Sequence, residues 1–178
     1  MITYNCEGVK FPKIKRREIT RWIREVAASY GRKVGEVGYL FCDDEKILEV
    51  NNEYLGHNYY TDIITFDYDE GDVINGDLVI SLDTVLTNAE QFGKTYEEEL
   101  HRVIIHGILH LCGINDKGLG EREIMEAAEN KALEKAPAFP GKYSDGEYAS
   151  GNCWCWCRGM FLRCQPEAQM SRRRSRRP

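Results

Sequence analysis

The sequence predicts an α+β domain, a mixed sheet of about four strands with helices packed on it, over residues 1–136, followed by a tail of different composition at 137–178. Two patterns and the length carry this prediction. Apolar residues recur at three- and four-residue spacing along 13–30, 82–92, 98–111 and 119–136, the period of helices buried on one face. Runs rich in Ile, Val, Thr and aromatic residues stand between them, at 36–42, 61–66 and 77–80. A chain of 178 residues suits one domain with a sizeable core and an appendage.

The elements follow in order. Residues 1–12 hold a short strand closed by Pro12. The helix expected over 13–30 turns Ile19, Trp22, Ile23 and Val26 inward and Lys15, Arg16, Arg17, Arg21 and Arg24 outward, and that basic face reads as solvated surface. The strand at 36–42 puts Val37, Tyr39 and Phe41 on one side. Asp43 or Asp44 caps a second helix, whose apolar set is Ile47, Leu48, Val50 and Leu55. The strands at 61–66 and 77–80 form a hairpin across the acidic segment 67–76. Asp67, Asp69, Glu70 and Asp72 have a calcium-loop look but lack the terminal bidentate Glu, so the segment reads as a solvated loop. Ser81 caps the helix at 82–92. The last helix, 119–136, turns Ile124, Met125, Ala128 and Leu133 inward, over the turn that carries Asp116.

The chemistry lies in residues 98–116, EELHRVIIHGILHLCGIND. Leu100, Val103, Ile104, Ile108 and Leu111 mark a buried helical face, and Thr95 with Glu98 makes a capping box at its start. His106 and His110, four apart, share one face about one turn from each other. His101 lies on another side and reads as surface. Two imidazoles on the apolar part of a helix are costly unless partnered, and a metal supplies the partner. Gly113 allows a left-handed turn that brings Asp116 back to the pair. Two His and one Asp then leave a fourth position open for water, as catalytic zinc requires. One Zn²⁺ is the expected cofactor, although this ligand set also suits iron, nickel or manganese. The nearest familiar pattern is the zinc-protease H-E-x-x-H, but Gly107 stands where that Glu acts as general base. Gly107 takes no proton, which argues against a peptidase of that mechanism.

HGILHLCG at 106–113, with GDLVIS at 76–81 and YTDIITF at 60–66, resembles the YbeY family of bacterial endoribonucleases over about residues 1–135. The resemblance implies a metal-dependent, single-strand-specific endoribonuclease acting in 16S ribosomal RNA 3′-end maturation and ribosome quality control. It implies single-stranded RNA, ribosomal RNA and the small ribosomal subunit as partners. His106 and His110 match the first two ligands of the family motif H-G-x-L-H-L-x-G-Y-D-H. The third His falls on Asp116, and the Tyr and Asp before it fall on Ile114 and Asn115. An anionic ligand acidifies a bound water less than a third neutral imidazole does. Leu55 takes the place of a family Arg thought to contact RNA, and His57, two residues on, is the candidate RNA-binding replacement. Beyond the metal-bound water, no catalytic group is assigned. Two other readings stay open: a ribosome-assembly factor with a structural metal, and a metal hydrolase acting on another substrate.

The formal net charge is −5; the tail from 137 carries eight Lys and Arg against three Asp and Glu, which leaves −10 on the first 136 residues. An acidic domain needs a local basic cleft or a ribosomal partner to attract RNA. No apolar run approaches the roughly 18 residues of a membrane span, and no leader-type segment is seen, so a cytoplasmic protein without a membrane partner is expected. Cys6, Cys42 and Cys112 read as reduced core residues. In the tail, PAFPGKYSDGEYASGN lacks periodicity, Cys153, Cys155, Cys157 and Cys164 depart from the spacing of structural zinc sites, and SRRRSRRP reads either as an Arg-rich arm for RNA phosphate or as part of an unselected extension. The tail is expected to be disordered and non-essential.

Overall fold

The computed structural model describes residues 1–56, 58–138, 155–157 and 160–162. The elements are β1 (Ile2–Cys6), α1 (Arg16–Ser29), β2 (Lys33–Cys42), α2 (Asp44–Val50), a π-helical turn (Asn51–Leu55), β3 (Ile63–Asp67), β4 (Val73–Ser81), α3 (Leu82–Phe92), α4 (Tyr96–Leu111) and α5 (Glu121–Leu133). The sheet order is β1-β2-β4-β3; β1–β2 and β2–β4 pair in parallel and β3–β4 antiparallel, so the sheet is mixed as expected. Two short strands in the tail, β5 (Cys155–Cys157) and β6 (Met160–Leu162), pair antiparallel. The remainder of the expected tail, and His57, lie outside the described residues.

The period-two alternation of the strands divides the interior into two clusters. On one face Val37, Tyr39, Phe41, Leu78 and Ile80 pack with Ile19, Ile23, Leu100, Ile104 and Ile108 of α1 and α4. On the other, Cys42, Ile64 and Val79 pack with Ile47 and Val50 of α2. Burying each such aliphatic side chain stabilises the fold by about 1.5–3 kcal/mol. β2 begins at Lys33 rather than 36, and its pairing with β4 shifts register between Val34 and Val37. That irregularity interrupts the alternation by which the strand was recognised.

Four expectations are corrected. His101 is 6% exposed, and its ring meets the Trp22 indole edge-on at 5.4 Å. It does face away from His106, but that side of α4 is covered by α1. Ile124 points outward, 61% exposed, while Met125, Ala128, Glu129 and Ala132 form the buried stripe of α5. Cys6 is exposed rather than a core thiol. The acidic hairpin segment is also not wholly solvated, because Arg32 bonds the Asp69 carboxylate, the Gly71 carbonyl and the Leu111 carbonyl. Arg32 thereby ties the hairpin to the C-terminus of α4.

Candidate metal centre

α4 carries the site. Thr95 caps it, its Oγ1 accepting from the Glu98 amide at 3.2 Å while the Glu98 carboxylate accepts from the Thr95 amide at 2.9 Å. At the other end Gly113 has φ +92°. The Gly113 amide donates to the His110 carbonyl at 2.9 Å and the Ile114 amide to the Leu109 carbonyl at 3.0 Å, the paired bonds of a Schellman turn. This turn reverses the chain and aims the Ile114 carbonyl back at the helix, where it accepts from His110 Nδ1 at 2.9 Å.

His106, with a half-buried side chain, is anchored from α5. Its Nδ1 donates to Glu129 Oε1 at 2.7 Å, and Glu129 Oε2 accepts from Arg102 Nη1 at 2.6 Å. Arg102 Nη2 continues to Asn130 Oδ1 at 3.0 Å. An ionised carboxylate and a carbonyl only accept, so both imidazoles carry the proton on Nδ1 and turn Nε2 the other way. Each Nε2 lies 3.8 Å from Asp116 Oδ2, and the rings stand nearly perpendicular, 88°, with centroids 4.4 Å apart. The three ligand atoms of His106, His110 and Asp116 all lie within 4.8 Å of one another, close enough to hold a metal ion.

The electrostatics distinguish the two rings. Burial pulls the His106 pKa down, but its bond to Glu129 and the charges of Asp62, Glu129 and Asp116 outweigh that, and the net shift is upward. His110 is shifted downward by burial first and by His106 second. Burial of Glu129 is outweighed by His106 and Arg102, and its carboxyl is held below the usual range. Glu99, one turn before Arg102 and 4% exposed, is pushed up to about 7 by burial.

The donor set fits a divalent ion. Both Nδ1 atoms are occupied by hydrogen-bond acceptors and both Nε2 atoms face a carboxylate, the arrangement in which imidazole ligates while its other nitrogen is fixed by an outer partner. Gly107 has a separate, steric reason. A Cβ there would stand 2.1 Å from Leu78 Cδ2 and 2.8 Å from Ile63 Cδ1, because α4 lies directly on β3 and β4. Any side chain at this position has to displace the Leu78 and Ile63 methyls, and glycine itself supplies no carboxylate to act as the zinc-protease base.

The structure brings His106, His110 and Asp116 together as expected. Glu129 and Arg102 escaped the sequence reading. The available signal was a charged residue in the apolar stripe of α5, beside Ala128 and four residues after Met125. A buried Glu in such a stripe requires a partner.

A family model described as Endoribonuclease YbeY matches residues 3–137. The chain belongs to the YbeY family. Within it, the chain is 74% identical over 132 residues to the Endoribonuclease YbeY of Bacteroides thetaiotaomicron, an alignment spanning 74% of this chain and 96% of that one. The Phocaeicola vulgatus member is 74% identical over 133 residues, 75% of this chain and 96% of its own length. That of Azobacteroides pseudotrichonymphae is 49% identical over 134 residues, again 75% of this chain and 96% of the relative. Among solved structures, a Thermotoga maritima protein determined in solution superposes with a TM-score of 0.56 at 29% identity, covering 76% of this chain and 89% of that one. The family match stops at residue 137, where the composition of the sequence changes.

Proposed function

We propose that this protein is a metal-dependent endoribonuclease that cuts single-stranded RNA in the maturation of the 3′ end of 16S ribosomal RNA and in ribosome quality control, working on the small ribosomal subunit in the cytoplasm. The observation that carries this reading is the convergence of His106, His110 and Asp116 within 4.8 Å, in a chain of the YbeY family. These three residues hold a Zn²⁺ ion. A bound zinc ion supplies Lewis-acid polarisation of a phosphoryl oxygen and acidification of a water. The chain's own residues do the rest. Glu129 and the Ile114 carbonyl fix the tautomers of the two histidines, and Asp116 would be the anionic member of the set that holds the ion. Among the described residues no helix is long and apolar enough to cross a membrane. The acidic first 136 residues, at −10, make free RNA a poor electrostatic match, which supports action on RNA presented by the ribosome. We assign the Cys- and Arg-rich residues 137–178 no part in catalysis, and His57 a contact to the RNA.

The test is cleavage of single-stranded RNA by the purified chain beside His110→Ala and a chelator-treated sample. Cleavage lost in both, and restored by zinc in the wild type alone, is the expected result. Equal cleavage in all three samples would refute the nuclease reading. A folded wild type that cleaves nothing but binds small subunits would support the assembly-factor alternative.

A further inference from the structure

We infer that Glu129 is a positioning residue of the metal centre, locked by Arg102, and that this outer pair rather than the His-x-x-x-His motif alone sets metal affinity. The inference rests on the metal-centre reading above and adds residues that lie outside the sequence motif. Glu129 is 8% exposed, and its two oxygens are used separately, one by each of two side chains of α4. Oε1 accepts from His106 Nδ1 at 2.7 Å and Oε2 from Arg102 Nη1 at 2.6 Å. A carboxylate bonded at both oxygens to partners one helical turn apart has no free rotation left. Arg102 is itself held, by Asn130 Oδ1 at 3.0 Å, so the lock closes between two successive residues of α5 and one face of α4.

The two imidazoles are therefore unequal by construction. His110 donates to a neutral carbonyl within its own turn, whereas His106 donates to a buried anion from another helix. A carboxylate acceptor on Nδ1 makes Nε2 the stronger donor to a metal and fixes the ring's direction. Because Glu129 comes from α5, the seat of α5 on α4 becomes part of the metal site.

The test uses the full chain and compares wild type, Glu129→Gln, Arg102→Lys and His110→Ala. Zinc affinity is read by competition with a chromophoric chelator, and coordination by the visible absorption of the Co²⁺ form. Glu129→Gln keeps the volume but loses the anion, and zinc affinity should fall about 10–100-fold with an altered cobalt spectrum. Arg102→Lys keeps the charge but removes the planar fork, and should give a smaller loss in the same direction. Circular dichroism and thermal melting of the metal-free proteins separate these effects from unfolding, and if Glu129→Gln does not fold, Arg102→Lys carries the test. A folded Glu129→Gln with wild-type zinc affinity and an unchanged cobalt spectrum overturns the positioning role while leaving the metal centre intact. If wild type and His110→Ala take up zinc alike, the metal-centre reading itself fails and the positioning role falls with it.

Discussion

Gly107 shows packing and helix propensity pulling in opposite directions at one residue. Helix propensity alone favours Ala there by about 1 kcal/mol. Against that, an added Cβ would meet Leu78 Cδ2 at 2.1 Å, and overpacking of this kind costs about 1–3 kcal/mol. Leu78 is fully buried, so the clash has little room to relax, and it outweighs propensity. Gly107→Ala should destabilise by about 1 kcal/mol in urea denaturation, the opposite sign to an exposed helix Gly→Ala change. Two ionisable residues of the same helix act through pH. Burial raises Glu99 to about 7, so its contribution is fully present below the unfolded-state pKa near 4.5 and is lost as pH rises through about 7. Burial lowers His101 to about 4, so the stability from its neutral form is present above 6.5 and is lost as pH falls toward 4. The two trends oppose each other on acidification. Glu99→Gln should raise stability at pH 8 by up to about 3 kcal/mol, leave it little changed at pH 4, and expose the His101 loss in between. Urea midpoints at pH 8, 6 and 4 would show it; an equal gain at every pH would contradict the assignment.

At the scale of the element, α4 depends on its caps. Thr95→Ala removes the hydroxyl that accepts from Glu98 and leaves the Glu98 side chain half of a reciprocal pair, which should cost about 1 kcal/mol. A lower melting temperature with an unchanged zinc titration would match a cap about ten residues from the ligands. Both ends of this helix were legible in the sequence, because Thr95, Glu98 and Gly113 act within a few residues of themselves. The convergence of His106, His110 and Asp116 was legible for the same reason: four residues is one turn, and a glycine turn brings Asp116 round. Glu129 was not, because its partner His106 lies 23 residues away, and the bond exists only once α5 has docked. His101 was misread because periodicity separates the sides of a helix but does not say which sides are covered. α4 is covered by the sheet, by α1 and by α5, so a second side can be interior as well. Ile124 failed in the converse way: in α5 the stripe follows Met125, Ala128, Glu129 and Ala132, and a run of apolar letters drew the boundary one residue early.

On the scale of the whole molecule, the sheet keeps two unequal interiors apart, and its strand order decides how they are filled. β3 and β4 are neighbours in sequence as well as in space, joined through residues 68–72. The other two pairings are parallel, and Lys33 meets Val73 across about forty residues of chain. Closing loops of that length comes late in folding relative to a hairpin or a helix. Synthesis runs the opposite way. β1, α1 and β2 leave the ribosome first, and at roughly 5–20 residues per second the partner of β2 follows about 2–8 s later. For that interval the strand destined for the centre of the sheet is an edge, with Val37, Tyr39 and Phe41 uncovered by α4. The chain thus leaves the ribosome with the strand destined for the interior of the sheet unpaired on one side until β4 arrives.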